Sequence, residues 1–180
     1  PFEARWTVNP ADPPPPAGGR GLNPAHAGRK RQSARERHPG VVTATSGPLG
    51  RPVTVAGSAS VRLTVGASNE TQEWFVRLCD VDRYGISRNV SDGYLCRPGS
   101  AAGTGEEVVT IDLSPTAHTF RSGHRLRLQV SGSGYPLHPT PSNGSRVRRV
   151  ISRLDAPSSI LLPIVPGGWA AAGSESGGAS

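Results

Sequence analysis

Gly123-His124-Arg125-Leu126-Arg127-Leu128-Gln129-Val130-Ser131 carries the clearest structural signal in the chain. Leu126, Leu128 and Val130 alternate with Arg125, Arg127 and Gln129, a strict period of two. The alternation predicts a half-buried β-strand, with the aliphatic side chains inward and Arg125, Arg127 and Gln129 in water. Ser122-Gly123 supplies the turn before it and Gly132-Ser133-Gly134 the turn after it. A strand dry on one face and wet on the other belongs to an antiparallel sheet. Burying the three aliphatics contributes roughly 5–9 kcal/mol before entropy costs.

Short strands broken by turns fill the chain from residue 41 onward. Val41-Val42-Thr43-Ala44-Thr45 is β-branched and ends at Ser46-Gly47-Pro48; Pro52 to Ala56 ends at Gly57. Val61, Leu63 and Val65 alternate with Arg62 and Thr64. In the next strand Trp74, Val76 and Leu78 form one apolar row, and Phe75, Cys79 and Val81 a second on the opposite side. One row is expected to fill the core and the other to lie under a lead-in or at a domain contact. Tyr94 to Arg97, Val108 to Leu113, Val147 to Leu154 and Ser159 to Val165 complete the set, and no segment has a helical period with caps. Strands at this turn-punctuated spacing predict an all-β sandwich or barrel. Residues 1–40 read as an extended lead-in packing on a sandwich over 41–166. Within it, Trp6-Thr7-Val8 forms a short strand and Pro13 to Pro16 a polyproline II run that Gly18-Gly19 ends. The Gly- and Ser-rich residues 167–180 are expected to be a disordered tail.

The net charge of +7 raises the question of nucleic acid. Arg29, Lys30, Arg31, Arg35 and Arg37, less Glu36, concentrate that charge in one loop without an aromatic to stack on bases. The loop reads as a solvated basic surface, and no nucleic-acid partner is expected. No apolar run reaches the ~20 residues of a membrane span, so no membrane partner is expected either. No signal-peptide pattern is present, and a cytoplasmic location is the expectation, with secretion as the alternative. The chain has no Met and begins Pro1-Phe2, which suggests a piece of a longer protein.

Ser, His and Asp are all present, but Gly-x-Ser-x-Gly is not; the nearest pentad, Gly173 to Gly177, has Glu175 at its centre. No catalytic residue is assigned, and His118, His124 and His138 read as solvated or capping side chains beside turns and strand ends. Asp80 and Asp82, two apart, are either a Ca²⁺-binding pair or a solvated strand end entering a turn, the latter being the commoner case. No metal or cofactor is assigned. Cys79 and Cys96 read as two separate thiols, since only Cys79 sits in a strongly apolar strand. Asn-x-Ser/Thr sequons begin at Asn69, Asn89 and Asn143 and matter only in a glycosylating host.

Several stretches together resemble one family. Trp6-Thr7-Val8-Asn9-Pro10-Ala11-Asp12-Pro13 followed by Gly18-Gly19 is similar to the entry into the C-terminal domain of the CocE/NonD hydrolases, the cocaine esterase and X-prolyl dipeptidyl-peptidase relatives. Glu36 to Val42 and Thr45 to Leu49 resemble the next family segment, and Phe75 to Val81, Gly85, Ser87-Arg88 and Asp92-Gly93 its central strands and turns. Ile111-Asp112-Leu113-Ser114-Pro115-Thr116-Ala117-His118-Thr119-Phe120 and Gly123-His124-Arg125-Leu126 form the most specific match, and Pro157 to Pro163 resembles the closing strand.

The resemblance implies a galactose-binding-domain-like jelly-roll β-sandwich of about eight strands. It implies a non-catalytic accessory domain that packs in cis on an α/β-hydrolase domain carrying the Ser-Asp-His triad, and that helps wall its substrate cleft. The chain alone is then expected to be inactive, and the parent to be a serine hydrolase of acyl esters or X-Pro amides, with homo-oligomerisation allowed. The family's cleft-reaching positions correspond to Leu22, which keeps an apolar side chain, and Asn23, which replaces an aromatic. Arg31-Gln32 stands where the family usually has Asp-Gln. A free-standing carbohydrate- or ligand-binding jelly-roll is the alternative.

Overall fold

The computed structural model describes residues 2–21, 23–68, 70–99, 104–138 and 145–167. In chain order the elements are β1 (Phe2–Val8), α1 (Ser33–Glu36), β2 (Val41–Thr45), β3 (Val53–Gly57), β4 (Ser60–Gly66), β5 (Gln72–Val81), β6 (Ser87–Arg97), β7 (Glu106–Asp112), β8 (Thr116–Phe120), β9 (Arg125–Ser131), β10 (Arg146–Ser152) and β11 (Ser159–Leu161). The fold is all-β, with eleven strands among the described residues rather than the eight the jelly-roll expectation implied. The extra ones are short: β3 pairs with β8 and bridges Ile164 through Val55, and β11 adds three residues to the edge of β4.

Two antiparallel sheets make the sandwich. One runs β1-β10-β4, with β11 sharing the β10 side of β4 and β7 pairing along its other side; the second runs β2-β9-β5-β6. Inward rows from both sheets meet in a single core: Trp6 and Val8, Val61, Leu63 and Val65 from the first, Trp74, Val76, Leu78 and Val130 from the second. The period of two in β9 is realised as read, since Val130 stands between Val42 and Val76, and Leu128 between Ala44 and Leu78. Val130 is buried, while Leu126 and Leu128 are half-buried against the core. β9 therefore contributes less than three fully buried aliphatics would.

The outer face of this second sheet corrects the sequence reading. Gln129, expected in water, is 1% exposed, and Arg127 donates to Glu36 at 2.7 Å. The opposite row of β5 is buried as well, Phe75 at 6%, Arg77 at 4% and Cys79 at 0%. Residues 13–21 and 23–37 fold back over that face, so the sheet is covered on both sides, and the lead-in is the cover that the second apolar row of β5 required. The basic loop is corrected with it. Lys30, Arg31 and Arg37 are exposed, but Arg35 is 2% exposed and donates from Nη2 to Ser131 Oγ at 2.9 Å. Trp6 to Val8 extends to the seven-residue β1, which pairs with all of β10.

Cys79 and Cys96 are free thiols, and burial pushes the Cys79 thiol up to about 12. Asn89 is 6% exposed, its amide donating to Gly28 O and its carbonyl accepting from Lys30 N, so that sequon is closed to a glycan in the folded chain. Asn69, Asn143, Trp169 and the tail from residue 168 lie outside the described residues.

Candidate functional site

The lead-in is held down by one side chain of β5. The Arg77 guanidinium forms a bidentate pair with Asp92 of β6, Nε to Oδ1 at 2.6 Å and Nη2 to Oδ2 at 3.0 Å. Its other N–H groups donate to Gln32 Oε1 at 2.9 Å, to Gly18 O at 3.1 Å and to Ala17 O. Gln32 is 0% exposed and reaches Ala17 O at 2.8 Å and Lys30 O at 3.0 Å. Both Arg77 and Arg35 place their guanidinium carbons over the Phe75 ring, 5.3 and 4.8 Å from its centroid. Burial, and next the Arg77 charge, push the Arg35 guanidinium down to about 9, still protonated at neutral pH. Gly18 and Gly19 admit this close approach. They lie at φ +80° and +92°, and a Cβ would stand 2.3 Å from Asn89 Oδ1 at the first and 2.4 Å from Asp92 Oδ2 at the second.

From this anchor a closed loop projects. Gly19 and Gly28 exchange backbone hydrogen bonds at 2.9 and 2.8 Å, and Gly18 N donates to His26 O at 2.7 Å. Leu22 lies outside the described residues. Asn23 is exposed and starts the turn 23–27: its Oδ1 accepts from Ala25 N at 3.0 Å, and its carbonyl from His26 N and Ala27 N. Asn23 lines a small cavity of about 60 Å³ together with Arg20, Phe75, Tyr135 and Leu137. Tyr135 and Leu137 are 46% and 48% exposed, so an apolar rim stands beside the projecting loop. Trp74 and Phe75, the strand aromatics, are buried and offer no platform to a sugar.

At the other end of β5 the histidine and aspartate readings change. Asp80 is 3% exposed on its side chain and is not solvated. Its Oδ2 accepts from His118 Nε2 at 3.0 Å and from Arg29 Nη2 at 3.0 Å, and its Oδ1 from His124 Nδ1 at 2.7 Å. His118 and His124, read as solvated or capping side chains, are each 17% exposed. The reason is strand parity. Asp80 continues the inward row of Trp74, Val76 and Leu78 past the end of the apolar core, where a carboxylate must be met by donors. Asp82 accepts instead from Tyr84 N, Ile86 N and Arg88 Nη1, closing the β5–β6 turn. With every close partner a donor, the pair does not form the oxygen cage of a Ca²⁺ site.

Burial alone would push Asp80 up, but the hydrogen bonds from His118 and His124, and their charges, outweigh it and hold the carboxyl below its ordinary range. A depressed folded value adds stability that is complete above the unfolded value, ~3.9, and is lost as pH falls through the lower folded value. Asp80→Asn is therefore expected to cost about 2–3 kcal/mol near pH 6. The gap to wild type should begin to narrow below about pH 3.9 and close once the pH is under the lower folded value, as urea midpoints across pH 2–7 would read. A gap that persists unchanged at the acid end assigns the cost to packing and not to the charge.

The profile of the family described as the X-Pro dipeptidyl-peptidase C-terminal non-catalytic domain matches residues 3–154. Cocaine esterase of Rhodococcus sp. (strain MB1 Bresler) is 29% identical over 182 residues, covering 89% of this chain and 32% of that protein. Among solved structures, an aminopeptidase from a marine sediment Thaumarchaeota archaeon superposes with a TM-score of 0.76 at 21% identity, covering 91% of this chain and 33% of the other. An α-amino acid ester hydrolase superposes with a TM-score of 0.74 at 22% identity, covering 91% and 32%. The chain thus spans about a third of the length of these relatives.

Proposed function

Because this chain belongs to the X-Pro dipeptidyl-peptidase C-terminal non-catalytic domain family, found in CocE/NonD-type hydrolases, we infer that it docks on an α/β-hydrolase domain of the same polypeptide. The docking face is the loop 18–28 with the rim 134–138, and the loop tip walls the substrate cleft. The observation that carries this reading is the apolar rim: Tyr135 and Leu137 stand about half exposed directly beside a loop that Arg77 anchors and two glycines shape. Side chains with no packing role in the sandwich are placed where a second domain would cover them. The parent is a serine hydrolase of acyl esters or X-Pro amides, in which this domain supplies no nucleophile or base. Two free cysteines, one of them exposed, fit a reducing, cytoplasmic compartment.

The test is the double variant Tyr135→Asp/Leu137→Asp, made both in this chain and in the full-length enzyme. The isolated chain should melt as wild type, since both sites are exposed. In the full-length enzyme, calorimetry should separate this domain's transition from that of the catalytic domain, and ester turnover should fall. A full-length variant that melts and turns over as wild type sinks the docking face. Leu22→Asp tests the cleft separately: KM should rise for a bulky acyl ester and not for a small one. Equal handling of both esters removes Leu22 from the cleft and leaves the docking role standing.

A further inference from the structure

The β5–β6 turn, β8 and the 121–124 turn enclose an open pocket of about 610 Å³. It lies at the Asp80 end of β5, roughly 17 Å along the strand from Phe75, so a domain docked on the rim 134–138 need not cover it. Cations face it from four segments: Arg29 from the lead-in, Arg83 from the hairpin turn, Arg88 from β6 and Arg121 from the turn after β8. The imidazoles of His118 and His124 line it too, and its carboxylates are Asp80 and Asp82. Each of those carboxylates already accepts from three donors.

The donors are not used up. Arg88 spends one nitrogen on Asp82, at 3.1 Å. Arg83 leans on the Tyr84 ring at 4.9 Å and, like Arg121, forms no ion pair among the described residues. A guanidinium carries five N–H donors and no acceptor. Among the arginines and carboxylates of its lining, four guanidiniums against two carboxylates leave the pocket net positive. A concave wall concentrates that field. What the lining does not supply is a further anion, one group small enough to meet several planar forks together.

We propose that this pocket binds a tetrahedral oxyanion of the phosphate or sulfate class, held by Arg83, Arg88 and Arg121. Charge-assisted, bidentate contacts from arginine suit such an anion, and chloride cannot reproduce them. Asp80 and its two histidines form the floor, fixed by their own hydrogen bonds, and the β5–β6 turn and the 121–124 turn are bridged by the ligand.

The experiment titrates this chain with inorganic phosphate, with sulfate, with a sugar phosphomonoester and with sodium chloride at matched ionic strength, read by amide chemical shifts and by melting temperature. Saturable shifts confined to residues 80–88 and 118–124 are expected with the oxyanions and not with chloride. Saturation by free phosphate identifies the anion itself as sufficient, and saturation by the phosphomonoester alone identifies a phosphoryl group on a larger molecule; both support the site. Arg83→Gln/Arg121→Gln should weaken binding about tenfold or more, the equivalent of about 1.4 kcal/mol, with an unchanged melt in chloride. Arg5→Gln, exposed on the opposite sheet, should bind as wild type. Three results overturn the proposal: equal response to chloride, no saturation by any oxyanion, or unchanged binding by the double variant.

Discussion

Arg77→Ala is expected to lower the free energy of unfolding by about 3–5 kcal/mol, because it breaks a buried charge pair and leaves the partner behind. The Arg77 side chain is 5% exposed, and the Asp92 carboxylate it grips is 18% exposed. Removal also takes a donor from the Gly18 carbonyl, and one of two donors each from Gln32 Oε1 and the Ala17 carbonyl. Arg77→Lys should fall between wild type and alanine, since an ammonium keeps the charge but cannot span Asp92 and the lead-in together. The loss has a location as well as a size. Hydrogen exchange should speed first at Gly18, Gly19 and Gly28, whose amides depend on the anchored loop. Denaturant midpoints for the two variants, with exchange rates at those glycines, check the result. An alanine variant within about 0.5 kcal/mol of wild type would mean that the lead-in is held by Gln32 and Arg35 without Arg77.

Trp74→Ala is expected to cost about 3–5 kcal/mol by a different route, the cavity left by the largest fully buried side chain of the core. Its ring meets Trp6 edge to face, centroids 6.0 Å apart and planes at 76°, and its indole N–H donates to Gln72 Oε1 at 3.0 Å. Trp6 belongs to β1 and Trp74 to β5, so this contact ties the two sheets together. A double-mutant cycle with Trp6→Leu should show coupling of about 0.5–1.5 kcal/mol, the range for aromatic pairs. Salt separates the two predictions. The Trp74 loss should be the same at low and high ionic strength, and that of Arg77 should shrink modestly as salt screens Asp92. Coupling near zero would show that the sheets are joined by aliphatic packing alone.

The alternation Leu126-Arg127-Leu128-Gln129-Val130 determined the strand, its inward row and the sandwich class, because side chains of a β-strand must point to opposite faces whatever surrounds them. The double apolar row of β5 likewise announced that Phe75 and Cys79 needed a cover, and the stretch Ile111 to Phe120 carried the family. Parity could also have placed Asp80 inside, two positions on from Leu78, where burial obliges partners; the residues between hid which ones. Only the tertiary structure decided that the cover is the chain's own lead-in, that Gln129 and Arg35 are buried beneath it, and that His118, His124 and Arg29 converge on one carboxylate. Those contacts join residues 38 to 96 positions apart in sequence. Local periodicity reports on which face a residue occupies. Which distant segment covers that face depends on how the sheets pair and on the path of the Pro- and Gly-rich lead-in, and neither has a period to read.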